Sequence, residues 1–308
     1  MTGKTWNHLP PELKLKCLEN LPFLDKCNVR GVNRNGRDLI DSFKTILRSI
    51  SIYKNKPPYY QPEGWCIRVC EATSENKIYG ANSFIARIDI DNWNEDGIPI
   101  LCRVLNQTKQ IHFFFAEDLP DDAFKQLHLS ASVNINKVRL IDICPNDVSF
   151  VLNNVRHENI EAFESISFSH NYFPLRSVPS VLFHSVRMFN IHYESDPTLP
   201  AFFARKWIEE DVDVGHKLQF SSSQFVDAIV NNIYTSMNTR MIPKRVELVD
   251  RIAMNDSDKM ILLKRTRNGW SANDFLFIMV VVPTDVDQAF VDNLKHEELP
   301  TGPLYYSF

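Results

Sequence analysis

Trp6-Asn7-His8-Leu9-Pro10-Pro11-Glu12-Leu13 opens the readable part of the chain, and three further pieces follow it: Leu18-Glu19-Asn20-Leu21, Val29-Arg30-Gly31-Val32-Asn33-Arg34 and Arg37-Asp38-Leu39-Ile40-Asp41. Their spacing predicts three short helices over residues 6–47. The residue before a proline is pushed towards extended geometry, and proline is tolerated in a first helical turn because the N–H it lacks has no partner there. Leu9-Pro10-Pro11 therefore sets up a first helix. Leu13, Cys17, Leu18 and Leu21 recur at helical spacing, opposite Glu12, Lys16 and Glu19, and Pro22 stops the run. Asp25 is placed to cap a second helix and Gly31 to end it. Leu39, Ile40, Phe43, Ile46 and Leu47 give a third helix one apolar face.

A trio of short helices cannot bury every apolar face on itself, so Leu9, Pro10, Leu13, Leu18 and Leu21 leave surface for a partner to cover. In order and spacing the four pieces resemble the F-box. The flavour is that of the nematode F-box families, in which a divergent F-box-associated domain follows. The resemblance implies a three-helix unit that docks on a Skp-type adaptor, which a cullin–RING scaffold holds in turn. It implies an adaptor-facing set of Leu9, Pro10, Leu13, Leu18, Leu21, Val29, Val32 and Leu39. The implied role is that of the substrate-recognition subunit of a Skp–cullin–F-box E3 ubiquitin ligase, with the transfer chemistry belonging to partners and no enzyme activity in this chain. Asn35-Gly36 stands where such domains often carry a bulky aromatic, and glycine in a helix costs about 1 kcal/mol relative to alanine. That departure keeps a second reading open, a non-degradative scaffold or a decoy with a divergent F-box.

The remainder of the 308 residues is long enough for a second unit, and a chain that is 44% hydrophobic has the means to bury a core. Residues 1–50 are read as the F-box, 51–284 as the associated domain that binds a target, and 285–308 as a loose tail. The polar, Pro-rich stretch from Lys54 to Gly64 marks the boundary. A net charge of -4, without a basic stripe, argues against nucleic acid as a partner. No apolar run reaches membrane-spanning length, and no apolar segment follows Met1-Thr2-Gly3-Lys4-Thr5. The expectation is an intracellular protein, cytoplasmic or nuclear, with no membrane contact. Its six cysteines are then small apolar residues rather than a disulfide framework.

Short strand-like pieces recur at Ala86–Ile90, Ile111–Phe115, Val138–Ile143, Ser165–Ser169, Met188–Tyr193, Lys217–Phe220 and Val246–Val249. Their steps of about 23 to 29 residues fall among the periods of leucine-rich-type units. Helical candidates lie between them at Ile98–Leu105, Asp121–Leu129, Asp147–Val155, Leu199–Glu210 and Ser222–Ser236. Beyond them, Met260–Arg267 and Phe275–Val282 read as a terminal strand pair. The fold class expected is α+β: a three-helix F-box followed by an irregular β-α repeat, an open solenoid of leucine-rich-repeat-like shape.

In such a solenoid side chains alternate between the two faces of each strand. Taking Ile88, Phe113, Leu140, Ile166, Phe189 and Leu218 as inward makes Asp89, Phe114, Ile141, Ser167, Asn190 and Gln219 outward, with Arg87, His112, Arg139, Ser165, Met188 and Lys217 beside them. Phe114 and Ile141 break that polar row. Together with His112, Arg139 and Ser167 they form the expected target-binding patch, unless a loop or the tail covers them.

The sequence carries no pattern that points to catalytic or metal-binding chemistry. Gly3-Lys4-Thr5 lacks the strand and first glycine of a phosphate loop. Cys66 and Cys70 fall on one face if they lie on a strand, but lack the paired partners of a zinc site and read as core packing. The acidic run Glu209, Glu210, Asp211 and Asp213 reads as a solvated helix end. Neither a cofactor nor a metal is expected.

Overall fold

The computed structural model describes residues 6–19, 21, 25–26, 28–29, 45–55, 64–71, 85–129, 132–166, 179–192, 196–222, 226–238, 240–241, 249–267, 275–295 and 297. Among these, a 3-10 turn at Trp6–His8 leads into α1 (Pro11–Glu19), and the rest is a mixed α/β unit built on one 11-stranded sheet. The strands are β1 (Thr45–Asn55), β2 (Gly64–Glu71), β3 (Ile85–Ile90), β4 (Thr108–Glu117), β5 (Ile135–Ile141), β6 (Ala162–Ile166), β7 (Met188–His192), β8 (Lys217–Ser222), β9 (Val249–Ala253), β10 (Lys259–Arg267) and β11 (Phe275–Pro283). The helices after α1 are α2 (Ile98–Gln107), α3 (Pro145–Asn154), α4 (Val181–Ser185), α5 (Leu199–Glu209), α6 (Val226–Met237) and α7 (Gln288–Asn293).

The sheet order is β3-β2-β1-β4-β5-β6-β7-β8-β11-β10-β9. From β1 through β4 to β8 all neighbours are parallel, while antiparallel strands close both sides. Each strand from β4 to β8 therefore lies beside the next in sequence. Successive right-handed crossovers of that kind put their connections on one side, and one core accordingly joins Leu101 and Val104 of α2, Val151 of α3, Phe183 of α4, Phe203 and Trp207 of α5, and Ile233 of α6. Phe183, Phe189 and Phe203 meet there edge to face or tilted, with ring centroids 5.0 to 6.2 Å apart.

The third expected helix falls largely outside the described residues, but its last two core positions do not. Ile46 and Leu47 lie in β1, so the helical pattern ends earlier than its apolar spacing predicts. A 3.6 period and a strand with a bulge share three-residue steps, and over so short a run they are hard to separate. β1 also passes through residue 50, so the division expected between 50 and 51 falls inside a strand, and Lys54 belongs to that strand rather than to a loop. Asp121–Leu129 is not a helix. It forms turns whose Ala123 and Phe124 N–H groups both donate to the Asp147 carboxylate, at 2.9 and 2.7 Å. Burial raises the pKa of this carboxyl above its ordinary value.

A shared irregularity sets which side chains enter the core. The helix-side core residues step from Leu47 to Ile50, from Ile111 to Phe114 and from Ile135 to Val138 on three adjacent strands. These are three-residue steps where a flat strand takes two, with Arg48, His112 and Asn136 at the extra position. A one-residue slip exchanges the faces of everything beyond it. Phe113, expected inward, thus stands with Phe115 on the face away from the helices, and Phe114, expected outward, is in the core. Ile166 is likewise outside that core, level with Ile141.

The expectation of a loose tail also fails for its described part. Val291 and Leu294 cover a second apolar cluster on the far face of β9–β11, formed by Val249, Met260, Leu262, Ile278, Val280 and Val282. Lys264 Nζ donates to the carbonyls of Val291, Asp292 and Leu294 at 2.9 to 3.0 Å, closing the C-terminal end of α7. No helix among the described residues is long and apolar enough to cross a membrane.

Candidate protein-binding surfaces

The first surface lies on α1. Helical geometry places residues four apart on one side, so Leu13 and Cys17 share a flank, and both are exposed, Leu13 at 47%. Trp6, at 39%, Pro10 and Pro11 are exposed beside the start of the helix. Leu9, Leu15, Leu21 and Val29 are half-buried, and Leu18 is fully buried. Leu13 and Leu18 therefore do not share a face, because five residues advance a helix by about 500° and leave it well round its axis. Leu18 is removed from the expected adaptor-facing set as a core residue. Val32 and Leu39 lie outside the described residues. Just beyond α1, Lys26 is buried with its Nζ 3.9 Å from Glu71 Oε1, which ties this segment to β2.

The second surface is the sheet face away from the helices. The pairing aligns Ser51, Phe115, Arg139, Glu164, Asn190 and Gln219 in one row across β1 and β4–β8. Arg139 Nε lies 2.8 Å from Glu164 Oε2, Asn190 Nδ2 donates to Glu164 Oε1 at 2.8 Å, and His192 Nε2 stands 3.5 Å from the same oxygen. Two residues earlier on β8, and on the same face, Lys217 is paired with Glu297. A groove of about 640 Å³ runs past the starts of β5–β7, with Lys137, Ala162, Arg187, Met188 and Glu297 among its walls.

The expected target patch does not assemble. Phe114 is 3% exposed and packs on Phe124 on the helix side, with ring centroids 6.3 Å apart, whereas Arg139 lies on the opposite face. Ile141 is 6% exposed, His112 is exposed at the strand irregularity, and Ser167 lies outside the described residues. The residues that do converge were legible as outward positions, namely Arg139, Asn190, Lys217 and Gln219. A lone acid in a strand, such as Glu164, carries no spacing signal, and Glu297 lies in a polar stretch whose local pattern gives no placement.

Among the described residues no group of three or more His, Cys, Asp or Glu side chains is placed to hold a metal. Cys66 and Cys70 are both buried in β2. Cys144 Sγ donates to Asp147 Oδ2 at 3.0 Å beside the α3 start; burial raises its thiol pKa, as it does the carboxyl's, and the pair serves the turn above it. Three members of the acidic run are paired at the surface: Glu209 with Lys206, Glu210 with His184 and Asp211 with Lys259.

Comparison with family models matches residues 6–48 to the F-box domain. The chain carries an F-box domain, with α1 and its exposed Trp6–Leu13 surface inside the match and the match ending within β1. No curated protein and no solved structure matches the chain.

Proposed function

We propose that the chain is the substrate-recognition subunit of a Skp–cullin–F-box ubiquitin ligase, with the F-box holding a Skp-type adaptor and the sheet unit holding a target protein. The observation that carries the reading is the apolar flank of α1. Trp6 and Leu13 are exposed large hydrophobics inside a segment that matches the F-box domain. Exposed apolar surface of this kind marks a contact site, and F-box domains bind Skp-type adaptors.

The consecutive parallel strands β4–β8, with helices on one side, are read as an open, leucine-rich-repeat-like solenoid of the divergent kind that follows nematode F-boxes. The polar face away from the helices is then the target side. The chain contributes proximity rather than chemistry, raising the effective concentration of target lysines near the charged carrier. It acts inside the cell and is not an enzyme. The test is a pull-down of the full chain with a Skp-type adaptor and its cullin–RING partners. Capture of the adaptor that depends on Leu9 and Leu13 supports the proposal, and failure of the wild-type chain to capture any member of the adaptor family ends it.

A further inference from the structure

The last described residues of the chain are seated on the sheet. Gln219, on β8, engages Glu297 in both directions: its Oε1 accepts the Glu297 N–H at 2.8 Å and its Nε2 donates to the Glu297 carbonyl at 2.7 Å. A neighbouring strand residue would offer the same pair of bonds, so the side chain imitates a strand edge. Lys217 Nζ donates to the Lys295 carbonyl at 3.1 Å and to Glu297 Oε1 at 2.8 Å.

The two halves of this contact are unequal. Gln219 is fully buried and the Lys217 side chain is 8% exposed, whereas the Glu297 side chain is 67% exposed. The seat belongs to the sheet, and its occupant lies on top. A buried ammonium requires an anion and acceptors nearby, so the seat is specified for extended backbone carrying a carboxylate. Glu297 also forms one wall of the groove that continues over Met188 and Ala162 towards Lys137. There Lys137 faces Glu161 at 3.9 Å, an exposed pair of little strength.

We propose that the Lys217–Gln219 seat is a recognition site for an extended acidic segment of a partner protein, and that Lys295 and Glu297 occupy it as a tethered stand-in which the partner displaces. The biological use of the seat rests on the receptor reading above; its peptide chemistry does not. A tethered occupant competes at a high effective concentration, so a partner gains the seat by also covering the groove beyond Glu297.

The experiment uses the full chain and a fluorescent peptide with the sequence of residues 292–299, Asp-Asn-Leu-Lys-His-Glu-Glu-Leu. With Glu297→Arg the tethered segment loses its anchor, and the chain binds the peptide at least about tenfold more tightly than wild type does. Adding Lys217→Glu abolishes that binding, and a peptide bearing Glu297→Lys binds the chain that carries Lys217→Glu alone. The Glu297→Arg chain stays folded, and its thermal midpoint falls only slightly, because displacement of the segment opens Lys217 to water. Equal binding by wild type and Glu297→Arg, no binding by Glu297→Arg, or a collapsed midpoint would each make the Lys295 and Glu297 contacts fixed structure and overturn the proposal. Adaptor capture measured on the same preparations reads the F-box separately. Its loss with peptide binding intact sinks the receptor reading and leaves the seat standing.

Discussion

Arg139 and Glu164 form an ion pair at 2.8 Å across β5 and β6, with side chains only 14% and 3% exposed. Such a pair adds little net stability over apolar residues of the same size, but removing one partner strands the other charge. Glu164→Ala should therefore cost about 3–5 kcal/mol, since it also deprives Asn190 and His192 of their shared oxygen. Arg139→Met with Glu164→Leu should recover most of that loss. Urea unfolding of the three chains decides it, and equal stability of wild type and Glu164→Ala would show that water reaches the pair.

Leu13 and Leu18 should separate binding from folding. Leu13→Asp together with Leu9→Asp leaves the secondary structure unchanged and removes adaptor capture, each lost apolar contact being worth on the order of 2 kcal/mol. Leu18→Ala lowers stability by about 2–5 kcal/mol, because Leu18 is fully buried. Pull-down and thermal melting on both variants give the comparison. Wild-type adaptor capture by the double variant would mean the exposed flank is not the docking face.

Phe114→Ala should destabilise the sheet unit by about 3–5 kcal/mol, the range for a buried aromatic whose cavity cannot collapse. His112→Ala, one irregular strand position away and exposed, should stay within about 0.5 kcal/mol of wild type. Similar losses from the two would contradict the face assignment on β4.

Burial raises the Cys144 thiol above its ordinary pKa of 9.0. A group raised in the folded chain binds its proton more tightly there than in the unfolded chain. Its contribution is complete below pH 9 and is lost as pH rises through the raised value. Urea midpoints at about pH 8 and about pH 10 should therefore fall more steeply for wild type than for Cys144→Ala. Parallel declines would remove Cys144 as the cause.

Strands rich in apolar, β-branched and aromatic residues were legible from the amino-acid order alone. Met188–His192, Lys259–Arg267 and Phe275–Pro283 sit within a residue or so of where β-branched and aromatic runs place them. Helices announced by proline at the first turn, α2, α3 and α5, were equally clear. What escaped was non-local. β1 and β2 carry ordinary polar residues such as Arg48, Ser49, Ser51 and Arg68, and become strands by pairing with β4 and with each other. The slip at His112 cannot be read locally, because Phe113, Phe114 and Phe115 are equally apolar and only the neighbouring strands decide which enters the core. The candidate seat was half legible: Lys217 and Gln219 are outward positions in an alternating strand, but their meaning depends on Glu297, about 80 residues away.

The F-box match ends at residue 48, after β1 has already begun at Thr45 and taken its place between β2 and β4. Residues 45–48 thus belong both to the F-box match and to β1. An insertion after Arg48 would tear a strand out of the middle of a sheet instead of extending a tether. That stretch is accordingly a fixed dimension of the sheet, and changing its length means rebuilding the sheet from β1 outward.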